Sequence, residues 1–351
     1  MNTKIKFSDF EIVPVMKSVH KEEISDAVYF GKKYSNYISN SRLKWINPDT
    51  EGSPELYKNP PRITTQSLSI GSAVHEVLLQ PEEFELAPKL GKPSAKLGAV
   101  IEEVYRLRKK GKKIYDAIHE ACNKITYYVN SIDRKIPYII EKGLAYYMLR
   151  REYDAVTYTK EQIHLSDADY KTVSGCLESC HNNRVIMSKL HPTDAFGDPI
   201  QSFNEDALFI DFLVTYKGRC VTLPFKLKAD NWTIDFDEKV VTLNDLKTTG
   251  HFVDSFMDPD HSFDNFHYAR QMGIYSSVLW YYCQRQYGVN INTGWSLKAN
   301  MLVVQTIPPY KSQCFAVSKT QLKQGMFEFE QLMKRVAYYE IFGYKKEVEF
   351  V

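Results

Sequence analysis

No apolar run in this sequence approaches the roughly 18 residues that a membrane-spanning helix needs. The first residues, MNTKIKFSDF, also lack the apolar core of a signal peptide. A membrane or exported protein is not expected, and the cytoplasm is the expected location. Cysteine is scarce, with six in 351 residues, so no disulfide framework is expected. Cys176 and Cys180 lie four apart beside His181, but Cys122, Cys220, Cys283 and Cys314 stand singly. That is too few ligands for a structural zinc or iron–sulfur site, and buried, reduced thiols are the expectation. An excess of one charge is missing too. Forty-five Lys and Arg against 43 Asp and Glu leave a formal net charge of +2, so any nucleic-acid surface must be a local patch. No internal repeat is evident. The acid-rich DSFMDPDHSFDNFH (Asp254, Asp258, Asp260, His261, Asp264, His267) lacks the glycine and final glutamate of a calcium loop and reads as solvated loop.

What is present is globular composition, 44% apolar and 25% charged, in a chain long enough for one large or two ordinary domains. Residues 1–37 mix Phe, Val and Tyr with Lys and Glu and form an arm of unassigned role. In YISNSRLKWI, Ser39 or Ser41 can cap a helix beginning near Arg42. A proline-rich loop covers 48–61. SLSIGSAVHEVLLQPEEF then spaces Ile70, Val74, Val77 and Leu78 as a helical stripe closed by Pro81, with His75 among them. From 93 to about 154 the pattern is helical, interrupted by Gly111 and Pro137. Its basic run Arg106, Arg108, Lys109, Lys110, Lys112 and Lys113 is a solvated helix end or a track for a phosphate backbone. A further helix covers about 166–190. Strands begin near 206 and form a three-stranded meander with a turn at Lys217-Gly218. A helix over about 263–287, strands near 301–307 and 313–317, and a final helix over 319–342 complete an α/β (α+β) order that fits a central mixed sheet flanked by helices.

The stretch PFKLKADNWTIDFDEKVVTLNDLKTTG, residues 224–250, reads as a hairpin with a two-residue turn at Asp237-Glu238. Residues whose numbers sum to 475 then face each other, which sets Asp230 against Asp245 and Lys228 against Lys247. Alternation puts Lys228, Asp230, Trp232 and Ile234 on one side with Val241, Leu243, Asp245 and Lys247. Directly opposed Cβ atoms lie about 4.5–5.5 Å apart, and like charges at that range destabilise a sheet. A shared proton, the neighbouring lysines or a divalent cation would relieve the pair, and a register slipped by one residue would separate it.

Asp230, then Asp245-Leu246-Lys247 on the same face, resembles the core of the PD-(D/E)XK nuclease superfamily. Gln271 and Tyr275, one helical turn apart in HYARQMGIYSSVL, resemble the QxxxY motif of RecB-type nucleases. IGSAVHEVLLQPEEF resembles the segment that supplies a histidine ligand in the same group. The ordered series SNSRLK, GSAVHEVLLQPEEF, KAD, NDLKTTG, RQMGIY and VVQTIPPY, over about 39–343, resembles exodeoxyribonuclease VIII (RecE-like) and its phage relatives, with lambda exonuclease more distant. The resemblance implies a restriction-endonuclease-like fold, with a helical segment at about 93–190 before the sheet, in an exonuclease domain over 38–351. It implies that His75, Asp230, Asp245 and the backbone carbonyl of Leu246 hold one or two Mg²⁺ ions, with Mn²⁺ as a substitute. Lys247 would orient or deprotonate the attacking water and stabilise phosphate charge, and Gln271 and Tyr275 would position the strand or the water. Glu205 matches an acid before the first core strand and is assigned a supporting or structural part. Ser39, Ser41 and Arg42 would meet a terminal 5′-phosphate, with simple capping as the alternative. The proline of the usual "PD" is Ala229 here.

The implied activity is Mg²⁺-dependent degradation of one strand of linear double-stranded DNA, 5′ to 3′. It would leave 3′ tails for a single-strand annealing protein and would act as a ring-shaped trimer or tetramer. An endonuclease or flap nuclease on the same core, or an inactive DNA-end-binding protein, are the competing readings.

Overall fold

The structure is a computed structural model describing residues 3–61, 65–87, 93, 95–155, 159–344 and 348–351. These residues form two compact units, 1–81 with 171–351, and 82–170. In chain order the first unit begins with strands β1 (Thr3–Ile5), β2 (Phe10–Pro14) and β3 (His20–Glu22) and helices α1 (Asp26–Tyr29), α2 (Asn40–Leu43), α3 (Pro54–Lys58) and α4 (Gln66–Leu79). The second unit holds β4 (Phe84–Leu86), α5 (Ala95–Lys109), α6 (Ile114–Ile125), α7 (Ile132–Ala155) and β5 (Glu161–Ile163). After α8 (Asp167–Asn182) the chain is in the first unit, with α9 (Arg184–Leu190), β6 (Gln201–Tyr216), β7 (Arg219–Asp235), β8 (Val240–Thr249), α10 (Ser262–Asn265) and α11 (Tyr268–Tyr287). It ends with β9 (Ser296–Gln305), β10 (Ser312–Ala316), α12 (Lys319–Phe342) and β11 (Val348–Phe350).

The second unit is a helical body whose core is Leu97, Val100, Ile101 and Val104 of α5, Ala117 and Ile118 of α6, and Ile136 and Ile139 of α7. Pro137 lies inside α7 rather than interrupting it. It removes one amide near the start of the helix, where only the Asp133 carbonyl loses a partner. The break falls instead before α7, where Thr126 and Tyr128 take φ of 54° and 52°. The basic run is a helix end: Arg106 binds Glu103, Lys109 binds Asp154, and Lys112 binds Glu120. Glu103 is only 7% exposed. The Arg106 guanidinium, ahead of Lys124, holds its carboxyl down at about 2. A folded-state value below the unfolded one, about 4.3, adds stability above that pH and loses it as pH falls toward 2. Glu103→Gln is therefore expected to melt lower than wild type at pH 7, with the gap closing between about pH 4.5 and 2. Paired thermal melts at pH 7, 5, 4 and 3 check this, and a gap independent of pH would remove Glu103 as the cause.

The central sheet has seven strands in the order β10-β9-β8-β7-β6-β2, with β3 also on β6. The β8–β9 pair is parallel and the other pairs are antiparallel, so this is the expected mixed sheet flanked by helices. The arm at 1–37 contributes β2 and β3. The meander turn at Lys217-Gly218 has φ of 46° and 78°, the pair of positive values that a two-residue hairpin turn requires. The 224–250 hairpin keeps the expected register, from Asn231 against Asn244 to Asp235 against Val240. Its turn is longer than expected. Four residues, Phe236 to Lys239, separate the last pair, and Asp235 Oδ1 accepts the amides of Asp237 and Glu238 at 3.0 and 2.9 Å.

Alternation fails at one point. Phe225 meets Phe329 of α12, and Trp232 meets Tyr282 of α11, yet these helices pack on each other and the residues are an odd number apart. Phe212 and Phe203 on β6 show the same inversion, against Phe329 and Trp232. Between them Glu205 takes φ of 55°, and neither Glu205 nor Asp230 has a ladder partner in the β6–β7 pair. Both strands invert together there, so the ladder resumes in register. Lys228 is thus not on the Trp232 side, as alternation predicts. It reaches Asp26 of α1 at 2.5 Å, while Leu227 and Ala229 join the core.

The helix expected over 263–287 is two, α10 and α11, broken where His267 takes φ of 54°. That over 166–190 divides into α8 and α9, with Asn183 capping the second. α12 spans the expected residues and starts from a capping box at Ser318 and Gln321. α11 and α12 cross closely: a Cβ on Gly325 would lie 1.7 Å from the Ala269 carbonyl oxygen. Cys122, Cys176, Cys180 and Cys283 are buried free thiols as expected, and burial pushes Cys176, Cys180 and Cys283 up to about 12. Cys220 departs from that expectation and is exposed. No helix among the described residues is long and apolar enough to cross a membrane.

Candidate active site

The inversion in the sheet is where the chemistry-bearing residues gather. β8 parts from β7 after Asn244 and continues beside β9, with Asp245, Leu246 and Lys247 opposite Met301, Leu302 and Val303. Asp230 and Asp245 therefore sit just beyond the last antiparallel pair. The Asp230 side chain fills the gap by accepting the Leu246 amide through Oδ2 at 2.7 Å. α4 packs on β8 through Gly71, where an added Cβ would lie 3.2 Å from Thr248 Oγ1. His75, one turn later on the same helix face, is thereby delivered to the carboxylates. Its Nδ1 lies 3.7 Å from Asp230 Oδ2 and 3.9 Å from Glu205 Oε1.

His75, Glu205 and Asp230 offer ligand atoms all within 4.8 Å of one another, the one such group of metal-binding residue types among the described residues. Ligands of an octahedral Mg²⁺ at about 2.1 Å lie about 3 Å apart when adjacent and about 4 Å when opposite, so small side-chain adjustments would close the set. Two carboxylates and one imidazole are a donor set that can hold a divalent cation. Burial works to raise the Glu205 carboxyl, but His75 and Lys228 outweigh it and hold it below its usual range. Burial likewise opposes charge on His75, and Asp230 and Glu205 reverse that.

Asp245 is turned to other partners. It is 1% exposed; its Oδ1 accepts Gln271 Nε2 at 2.6 Å, and its Oδ2 pairs with the Lys247 ammonium. That Oδ2 is buried and, apart from the Lys247 ion pair, receives no well-directed hydrogen bond from the described residues. Burial pushes the Asp245 carboxyl up in spite of Lys247. Lys247 also lies 3.7 Å from Asp230, donates to the Leu246 carbonyl at 3.0 Å and stands over the Tyr268 ring. Burial opposes its charge, but Asp245 and Asp230 keep the ammonium firmly protonated. Tyr275 is packed against the core, and burial raises its hydroxyl well above the usual range, with Tyr29, Asp245, Asp230 and Glu205 as charged or polar neighbours.

The remaining sequence candidates lie at the start of α2 and on it. Ser39 caps it, its Oγ accepting the Arg42 amide at 3.3 Å and lying 3.0 Å from Ser41 Oγ. Arg42 donates to the Ser35 carbonyl, stacks over Tyr57 and leaves Nε buried without a partner among the described residues. Arg42 and Lys226 are electrostatic neighbours, and Lys226, 7% exposed, donates to the Tyr29 carbonyl with no carboxylate among the described residues to balance it. Sequence reading gave no functional part to Lys226, to Lys228, which bridges Glu205 at 2.6 Å and Asp26 at 2.5 Å, or to Tyr268. The KLKAD run shows both lysines at alternate positions before Asp230. Their partners Tyr29 and Asp26, 197 and 202 positions away in the chain, cannot be read locally. The acid-rich 254–267 stretch forms no such cluster among the described residues. Asp254 pairs with Lys311 and His267 with Glu328.

The family described as "PDDEXK-like domain of unknown function (DUF3799)" matches residues 53–340. Among solved structures, a protein from Eubacterium rectale provisionally described as an exonuclease aligns with 12% identity and a TM-score of 0.45, over 90% of this chain and 85% of that one. No curated protein matches.

Proposed function

The chain belongs to this PDDEXK-like family, and on that premise we propose that it is a Mg²⁺-dependent exodeoxyribonuclease acting on linear double-stranded DNA. The observation that carries the reading is the convergence of His75, Glu205 and Asp230 beside the Asp245–Lys247 pair where β6 and β7 break their ladder. That is the composition needed to hydrolyse a phosphodiester with a divalent ion. His75, Glu205 and Asp230 would hold the ion, with Asp245 Oδ2 and the Leu246 carbonyl facing the same space as further donors. The chemistry a bound divalent cation supplies at such a set is neutralisation of phosphate charge and activation of water.

Lys247 places an ammonium where charge grows on the phosphate and can orient the attacking water through its remaining N–H donors. Gln271 fixes the orientation of Asp245 through one short hydrogen bond. Tyr275 supplies a buried, protonated phenol on the same helix face one turn later, suited to donating to a phosphate oxygen. Lys226 and Arg42, two neighbouring cations, would meet a backbone phosphate near Ser39 and Ser41. The 5′ to 3′ polarity, the 3′ tails for a single-strand annealing protein and a ring-shaped oligomer belong to the same proposal and rest on the sequence resemblance.

The test is digestion of linear duplex DNA labelled separately at the 5′ and 3′ ends, beside a closed circle, with Mg²⁺, Mn²⁺ or EDTA. Early release of the 5′ label with the circle intact and EDTA inhibiting is the expected outcome. Cutting of the circle would replace the exonuclease with an endonuclease. DNA binding without turnover in either metal would leave an end-binding protein.

A further inference from the structure

Arg270, the residue before Gln271, is 2% exposed and is among the largest fully buried side chains of the protein. Its Nη1 donates to Glu328 Oε1 of α12 at 2.5 Å, and its Nε donates to Asn40 Oδ1 at the start of α2 at 2.9 Å. His267, just before α11, brings Nδ1 to the same Glu328 oxygen at 2.9 Å. Gly325 of α12 meets the backbone of Ala269 and Arg270, and Gly273 of α11 meets that of Leu322 and Met326, so the helices approach closely at the turn that carries the Arg270–Glu328 pair. The glycines bring the helices close, and Met272, Ile274, Val278 and Leu279 pack α11 into the core, but apolar contacts of this kind put no directed bond beside Gln271. The guanidinium, donating to acceptors on two different elements, supplies that direction. It does so one residue from the side chain that must meet Asp245.

We infer that Arg270, held by Glu328 and Asn40, is a positioning residue that sets the rotation of α11 so that Gln271 reaches Asp245. The inference rests on the reading of Gln271 and Asp245 as part of the nuclease site. A buried ion pair is weak support for stability, because well-packed apolar residues serve as well or better. What a guanidinium with two directed bonds gives that an apolar pair does not is direction. The Gln271–Asp245 bond at 2.6 Å has little tolerance for a turn of the helix. Misplacement of about 1 Å in an active site costs up to about a hundredfold in rate.

The test compares Arg270→Met with the double variant Arg270→Met/Glu328→Leu, which removes the buried charges together. Turnover of linear duplex DNA, KM, thermal midpoint and the side-chain amide NMR signal of Gln271, assigned by its loss in Gln271→Ala, are read for each. Arg270→Met is expected to lower turnover about tenfold or more, to leave KM within about twofold, and to shift the Gln271 amide signal. The double variant is expected to regain the wild-type midpoint but neither the turnover nor the signal. Recovery of turnover along with the midpoint would show a purely structural pair and overturn the inference. An unmoved Gln271 signal in both variants would overturn it too. If the wild-type protein cleaves no DNA, the nuclease reading fails on its own, while the amide signal still decides whether Arg270 orients Gln271.

Discussion

Lys247→Met is expected to reduce turnover of linear duplex DNA by about a thousandfold, the scale of losing one general acid–base group or one donor to a developing charge. Methionine matches the length of the stem and removes only the ammonium, so substrate binding should change little. The structure adds a second consequence. Asp245 is 1% exposed, and Lys247 is the only cation paired with it among the described residues. Removing one partner of a buried pair typically costs about 3–5 kcal/mol, less whatever proton uptake by the remaining carboxyl recovers. Lys247→Met should therefore be less stable as well as inactive. Lys247→Met/Asp245→Asn, which removes both charges, should regain most of the stability and none of the turnover. Single-turnover rates and chemical unfolding of the three proteins separate the effects. Turnover of Lys247→Met within tenfold of wild type would remove Lys247 from the chemistry.

The site was legible where its geometry is local and hidden where it is not. The register of the 224–250 hairpin follows from the apolar pattern of its arms, since a slip of one residue would turn Trp232, Ile234, Val241 and Leu243 to the wrong face. Gln271 and Tyr275 on one face of α11 follow from helical spacing alone. The inversion at Glu205 and Asp230 does not, because a non-glycine residue at φ 55° leaves no mark in composition. For that reason Glu205 is assigned a supporting part on sequence grounds, whereas the structure brings it into the group with His75 and Asp230. The two strands that the 1–37 arm adds to the sheet are equally unreadable. β3 is three residues long and pairs with a segment about 190 positions later, so tertiary context decides it rather than local pattern. Pro137 fails in the opposite direction, as a local breaker that α7 carries at the loss of one backbone hydrogen bond.

Asn244→Leu is expected to be the most destabilising single change on the face of the sheet away from α11. Asn231, Asn244 and Asn300, on three adjacent strands, are buried and joined side chain to side chain. Asn300 Nδ2 donates to Asn244 Oδ1 at 2.8 Å, Asn244 Nδ2 to Asn231 Oδ1 at 2.7 Å, and Asn231 Nδ2 to Asn204 Oδ1 at 2.7 Å. Asn244 also donates to the Lys189 carbonyl at 3.1 Å, which ties the ladder to α9. Leucine differs little in size, so the cavity term is small and the loss is one of hydrogen bonds. It strands the Asn300 amide, the Asn231 carbonyl oxygen and the Lys189 carbonyl in a dry site, each at about 1–3 kcal/mol. The sum, about 3–9 kcal/mol, is a large share of the stability of an ordinary domain. Asn300→Leu, at the end of the ladder, should cost roughly a third to a half as much, because it strands one partner and leaves the rest joined. Equilibrium urea unfolding of both variants tests the ranking, and equal or negligible losses would mean that the amides do not act as a chain. The position of the ladder gives this stability a functional consequence. Asn231 and Asn244 are the last pair before β7 and β8 part, and the next residues along are Asp230 and Asp245. The apolar pattern excludes a slip of one residue but not of two, which keeps the same face inward, and the ladder of amides excludes that slip as well. The asparagines therefore pin the point at which the strands separate, and with it the spacing of the two aspartates. Asn244→Leu should consequently weaken the response to Mg²⁺ even at temperatures where the variant is fully folded.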